Sequence, residues 1–250
     1  MKKCNLTNLL KENNEKYYWL GFLLADGCFY NNRIIIGLSK KDLSHLILLK
    51  NFLNIENIHE TKNSYNIMAM DTKIVSKIIK EFDIKSNKTY IPPNIDSIQD
   101  DKLFSLIIGY IDGDGSITKQ FKRKDTILRV KCHSSWIFIL QKFLIHLYMD
   151  CDEKIPKVKI NKEGYANFNI TNSIVLKTIK NKCIDLKLPI LKRKWDNIDL
   201  TYVSRIEQIK YNLPKITEML KNSMKRKDIA IKLGISYYSL TQLLLRRKNK

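Results

Sequence analysis

One pattern occurs twice in this chain. "WLGFLLADG" (19–27) and "IIGYIDGDG" (107–115) align Gly21 with Gly109, Ala25 with Gly113, Asp26 with Asp114 and Gly27 with Gly115, at an offset of 88 residues. Further on, "LILLKNFL" (46–53) matches "IFILQKFL" (137–144) at an offset of 91. "IVSKIIK" (74–80) matches "IVLKTIK" (174–180) at 100, with Tyr65 and Tyr165 ahead of each. The order is kept and the offset only grows, as loop insertions in a second copy would produce. A repeat of this period restricts the chain to architectures built from two similar units.

Hydrophobic periodicity gives each unit the order helix, two strands, helix, two strands, helix. In the first copy, residues 7–26 read as a helix and 28–39 as a hairpin turning at Asn31-Asn32. A helix at 42–54, a strand pair at about 58–70 and a helix at 72–82 follow. The second copy gives a helix from about 98 to Asp114, strands near 116–122 and 127–133, and a helix at 134–149. Strands near 156–161 and 165–170 and a helix at 172–185 complete it. "NKTYIPPNIDS" (87–97), with two prolines, reads as the link between copies. The expected fold class is therefore α+β: two pseudo-symmetric αββαββα halves, at 1–95 and 96–200, and a small all-α tail at 205–250.

The small residues Gly21/Ala25 and Gly109/Gly113 lie four apart, on one face of each helix, where they allow close helix approach. Such packing brings Asp26 and Asp114 together at one end of the interface. Each precedes a glycine suited to the left-handed C′ position. Each also sits at the partially negative end of its helix, where an acid is unfavourable. A divalent cation with oxygen preference, such as Mg²⁺, resolves that repulsion, and paired ions between carboxylates and phosphate oxygens suit phosphodiester hydrolysis. The expected metal ligands are Asp26 and Asp114; the neighbouring Ala25 has no assigned role. "DDK" (100–102) has a D-x-K spacing, but it opens a helix and is explained as acidic helix-start residues.

The strands of the second copy alternate cleanly. Leu128, Val130 and Cys132 oppose Arg129, Lys131 and His133; Val158, Ile160, Ala166, Phe168 and Ile170 oppose Lys157, Lys159, Tyr165, Asn167 and Asn169. One face belongs to a core, and the other carries the basic and amide side chains that contact phosphates and base edges. The whole chain agrees: Lys+Arg 45 against Asp+Glu 25 gives a net charge of +20, which favours a polyanionic partner.

These residues resemble the LAGLIDADG homing endonucleases of the single-chain, two-motif kind, over about residues 7–200. The resemblance implies that the motif helices form the interface between halves and that each half lays a curved sheet into a DNA major groove. It maps the metal-binding acids onto Asp26 and Asp114. The sixth motif position is Leu24 in one copy and Asp112 in the other, which leaves Asp112 a structural role. It also implies a basic residue near each metal site. The candidates by position are Lys88 in "SNKTYIPP" and Lys192 or Lys194 in "LKRKW", with Lys88 and Lys194 taken as catalytic and simple phosphate contact as the competing role. The implied protein is a monomeric endonuclease cutting double-stranded DNA at a target of roughly 20 bp.

In the tail, "KDIAIKLGIS" and "YYSLTQLLLRRK" resemble a helix-turn-helix within three short helices at 213–250. Ala230 is small at the crossing, Gly234 makes the turn and Ser236 caps the next helix. Tyr237, Tyr238, Thr241, Gln242 and Arg246 are the recognition candidates. Two nucleic-acid alternatives remain: a catalytically inactive regulator of the WhiA-like type, and an intron maturase with RNA as partner. A helical-tail interaction module is the third. No apolar stretch suits a membrane span or secretory signal. Five scattered cysteines without a CxxC pair predict reduced thiols in a cytoplasm-like compartment or organelle matrix.

Overall fold

The computed structural model describes residues 6–120 and 126–248, and divides into two compact units, Met1–Ile198 and Asp199–Lys250. In the first unit a 3₁₀ turn, Leu6–Leu10, precedes α1 (Asn14–Asp26), β1 (Cys28–Tyr30), β2 (Arg33–Ser39), α2 (Leu43–Phe52), β3 (His59–Glu60), β4 (Ser64–Met70) and α3 (Thr72–Glu81). The same order repeats in α4 (Asp100–Asp114), β5 (Ser116–Lys119), β6 (Thr126–His133), α5 (Ile137–Tyr148), β7 (Lys159–Ile160), β8 (Tyr165–Ile170) and α6 (Ser173–Asp185). A short helix, α7 (Lys192–Trp195), closes this unit. Both sheets are antiparallel with the same topology, β1-β2-β4-β3 and β5-β6-β8-β7.

Local chemistry sets the boundaries. The helix expected over 7–26 is split, because Asn13 adopts an extended backbone and its side chain accepts from Lys16 N at 2.8 Å, which starts α1 afresh. The β1–β2 turn has Asn31 at φ 46° and Asn32 at φ 58°, the two left-handed residues of a tight hairpin. Asp71 caps α3 on Ile74 N, and the α3 face bearing Ile74, Val75 and Ile78 is buried. The outer strands β3 and β7 shrink to two residues each. Ile160, expected on the core face, pairs with Ala166 but is 53% exposed, because β7 lies at the sheet edge. Residues 121–122 of the strand expected at 116–122 lie outside the described residues.

The core of this unit is the seam between α1 and α4. A Cβ on Gly109 would sit 1.8 Å from the Tyr18 carbonyl oxygen, and one on Gly21 1.9 Å from that of Leu106. Ala25 Cβ fills the space at Gly113, 2.3 Å from where a Cβ there would lie. The two backbones touch, and only glycine fits at the crossing.

The reading of Gly27 and Gly115 as left-handed is corrected: their φ,ψ are −78°,155° and −82°,166°. Each N–H extends its helix by one more bond, to Leu23 O at 3.0 Å and Ile111 O at 2.9 Å. A Cβ at either position would lie 2.6 Å from that same carbonyl oxygen. Glycine is needed there for room, not for handedness, and the chain runs straight from helix into strand.

The second unit holds α8 (Arg205–Tyr211), α9 (Leu213–Lys221), α10 (Arg226–Lys232) and α11 (Tyr237–Lys248) around Ile209, Ile216, Ile229, Ala230 and Leu240. The sequence pattern predicts three helices here; α8 is additional and starts at a Ser204–Glu207 capping box. Gly234, at φ 62°, turns the chain between α10 and α11. No described helix is long and apolar enough to cross a membrane.

Candidate metal-binding site at the paired helix ends

Asp26 is the last residue of α1 and Asp114 the last of α4. The glycine seam carries both carboxyls to the same end of the helix pair, each on an accessible side chain. Burial of its surroundings raises the Asp26 pKa, and the Asp114 charge raises it further. Burial also raises that of Asp114, while Tyr110, which hydrogen bonds to it, and the charges of Lys88 and Lys194 oppose the rise. Position 22 of the first copy, equivalent to Tyr110, is Phe22, so the two aspartates are held unequally.

The two lysines occupy matching places. Lys88 Nζ donates to Leu24 O at 2.6 Å and Ala25 O at 2.9 Å, at the end of α1. Lys194 Nζ donates to Asp112 O and Gly115 O at 2.6 Å and shares its third proton between Gly113 O at 3.1 Å and Ile111 O at 3.2 Å, at the end of α4. Cations on the last carbonyls complement the helix dipoles that the aspartates oppose. Burial lowers the pKa of both lysines, while the nearby aspartates raise it. Lys192 is exposed, so of the two alternatives in "LKRKW" only Lys194 caps the helix. Trp136 Nε1 donates to Lys88 O at 3.0 Å and steadies the linker that carries Lys88.

Asp112 is buried and turned away from this cluster. It accepts from Tyr18 Oη at 2.7 Å, Trp195 Nε1 at 2.7 Å and Leu191 N at 2.8 Å. Burial pushes it up to about 6, against these three donors. His45 Nε2 lies 3.2 Å from Tyr18 Oη, and burial pushes His45 down to about 4, so it is neutral at pH 7. The single Tyr18 proton goes to Asp112, so His45 donates from Nε2. Arg193 adds a bidentate pair to Asp42 of the first half, with Nη2 to Oδ2 at 2.7 Å. Burial disfavours the Asp42 charge, but Arg193 outweighs it and holds the carboxyl below its usual range. Sequence reasoning missed Tyr18, Tyr110, Trp195 and the Asp42–Arg193 pair. Its one available signal was the acid at 112 without a counterpart in the other copy.

The donor set suits a hard cation. Among the described residues no three His, Cys, Asp or Glu side chains converge. Two carboxylates are what this end of the helices offers, and Mg²⁺ is commonly held by one or two carboxylates with water and substrate phosphate completing its shell. Asp26 and Asp114 fit that role.

The duplicated αββαββα frame around a glycine seam defines the fold as that of the LAGLIDADG homing endonucleases. No protein-family model and no curated protein matches the chain. Solved structures do. The meganuclease I-SmaMI bound to uncleaveable DNA with a TTCT central four has a TM-score of 0.52 at 15% identity, covering 83% of this chain and 95% of that one. The same enzyme with a TTGT central four gives 0.52 at 15%, covering 86% and 95%. I-SmaMI bound to an uncleaved DNA target in the presence of calcium ions gives 0.50 at 13%, covering 85% and 93%. I-SmaMI is itself described as a LAGLIDADG homing endonuclease.

Proposed function

We propose that this protein is a sequence-specific endonuclease that hydrolyses one phosphodiester bond on each strand of double-stranded DNA with a divalent metal. The observation that carries this reading is the pair of accessible carboxylates at the ends of two helices in backbone contact, each leading within two residues into a sheet. Its likeness to a meganuclease described as bound to DNA, in one structure with calcium ions present, supports it. A bound Mg²⁺ would supply Lewis-acid stabilisation of phosphate charge and a more acidic water. Asp26 and Asp114 would hold it. Tyr110 orients the Asp114 carboxylate. Lys88 and Lys194 lock the helix ends by their carbonyls and place positive charge where a phosphate must approach. Each sheet would follow about one helical turn of the major groove, which gives a target of ~20 bp read by one chain.

In the same reading the second unit is a helix-turn-helix, with α10 crossing the backbone and α11 presenting a recognition face. Tyr237 and Tyr238 are exposed and Thr241 and Gln242 half-buried on α11; the Arg246 side chain lies outside the described residues. Deleting residues 199–250 should weaken DNA binding and flatten its salt dependence by about one unit of log–log slope per lost phosphate contact. An unchanged slope would assign these helices to packing instead.

The function itself is tested by selecting a bound sequence from randomised duplexes with Ca²⁺ and then supplying Mg²⁺. Both strands of the selected duplex should be cut, and EDTA should abolish the cutting. Tight, selective binding with no cutting at any Mg²⁺ concentration would replace the nuclease with an inactive regulator.

A further inference from the structure

The two sheets share a topology but not a surface. In the first, strand register places Cys28, Ile35 and Met68 side by side across β1, β2 and β4. In the second, the equivalent row across β5, β6 and β8 is Ser116, Arg129 and Asn169. Both rows begin at the second residue after a site aspartate, Cys28 after Asp26 and Ser116 after Asp114. They therefore lie nearest the bond each aspartate serves. The next row is polar in both sheets and differs in its lysines: Gly37 and Asn66 with His59 in one, Lys131 and Asn167 with Lys159 in the other.

The apolar row is not a misplaced core. Ile34, Ile36, Ile67 and Ala69 fill the inner face of the same strands, while Met68 is 40% and Met70 37% exposed. The outward positions of β1, β2 and β4 hold no acid, and Arg33 stands in register between Tyr30 and Met70. An apolar stripe edged by positive charge and free of acids matches a polyanion that itself presents apolar groups. In the DNA major groove that group is the thymine C5-methyl, whereas Arg pairs with guanine O6/N7 and Asn with adenine N6/N7.

We infer that the two half-sites are chemically unlike. The half beside Asp26 is A·T-rich and read by Cys28, Ile35 and Met68 through thymine methyls. The half beside Asp114 carries guanine and adenine at the matching positions, read by Arg129 and Asn169. This rests on the proposed DNA recognition.

The test uses the full chain with Ca²⁺ and its selected duplex. Selection repeated with Arg129→Gln, an exposed position outside the core, should change base preference in one half only and so mark the half beside Asp114. Replacing thymine by deoxyuridine, which deletes the C5-methyl and keeps pairing, should weaken binding about fourfold per contacted methyl in the opposite half. The same replacement in the marked half should change Kd less than twofold. Equal losses in both halves, or none in either, would overturn the assignment while leaving the DNA reading intact. Failure of the native chain to enrich any duplex would overturn the DNA reading itself, and this inference with it.

Discussion

Asp26→Asn and Asp114→Asn should each lower double-strand cleavage by about a thousandfold, the several kcal/mol expected of a lost metal ligand. The substitution keeps the shape of the side chain and removes its charge. Binding should behave oppositely. Removing a negative charge beside the phosphates, in a chain of net charge +20, should leave Kd unchanged or tighten it in the absence of metal. A supercoiled plasmid bearing the selected site separates the outcomes, because cutting of one strand relaxes the plasmid and cutting of both linearises it. Nicked or uncut plasmid is expected from either variant. Unchanged linearisation by both would remove Asp26 and Asp114 from the site.

The second large effect is on stability. Gly109→Ala places a methyl 1.8 Å from the Tyr18 carbonyl oxygen, against backbone that has no rotamer to escape into. Relief requires α1 and α4 to part along their length, so the cost should reach about 3 kcal/mol or more, the upper range for overpacking. Urea unfolding measures it, with Gly164→Ala as the control: that position has open space and φ 80°, and should lose only about 1 kcal/mol. A loss below about 1 kcal/mol for Gly109→Ala would mean that the helix seam yields easily.

The frame was legible because duplication leaves paired signals. Gly21 with Gly109 and Asp26 with Asp114 identify the helix seam and its acidic end from spacing alone. Alternation identified the outward residues of β6 and β8, where Arg129, Lys131, Asn167 and Asn169 pair in register. Edges were less legible: period two gives Ile160 its face but not its neighbours, and β7 has none to cover it. The glycines after the aspartates misled because a tight approach to a carbonyl and a left-handed turn demand the same residue. Lys88 and Lys194 were visible only as positions in basic segments, since residues 87–97 and 186–198 diverged between the copies. Their equivalence is three-dimensional, in the carbonyls they cap.

Arg193 grips Asp42 across 151 residues of chain, and Lys194 next to it reaches back 79–83 residues to dress the end of α4. During synthesis these two side chains leave the ribosome after every other part of the duplicated unit except its final turn. Until they arrive, the carbonyls at the end of α4 have no lysine upon them, and the first half has no tie to the last helix. A prematurely terminated polypeptide thus carries both aspartates but only the Lys88 cap, on the α1 end. Translation order therefore completes the two helix ends one after the other, the α4 end only once this unit has been read almost to its close.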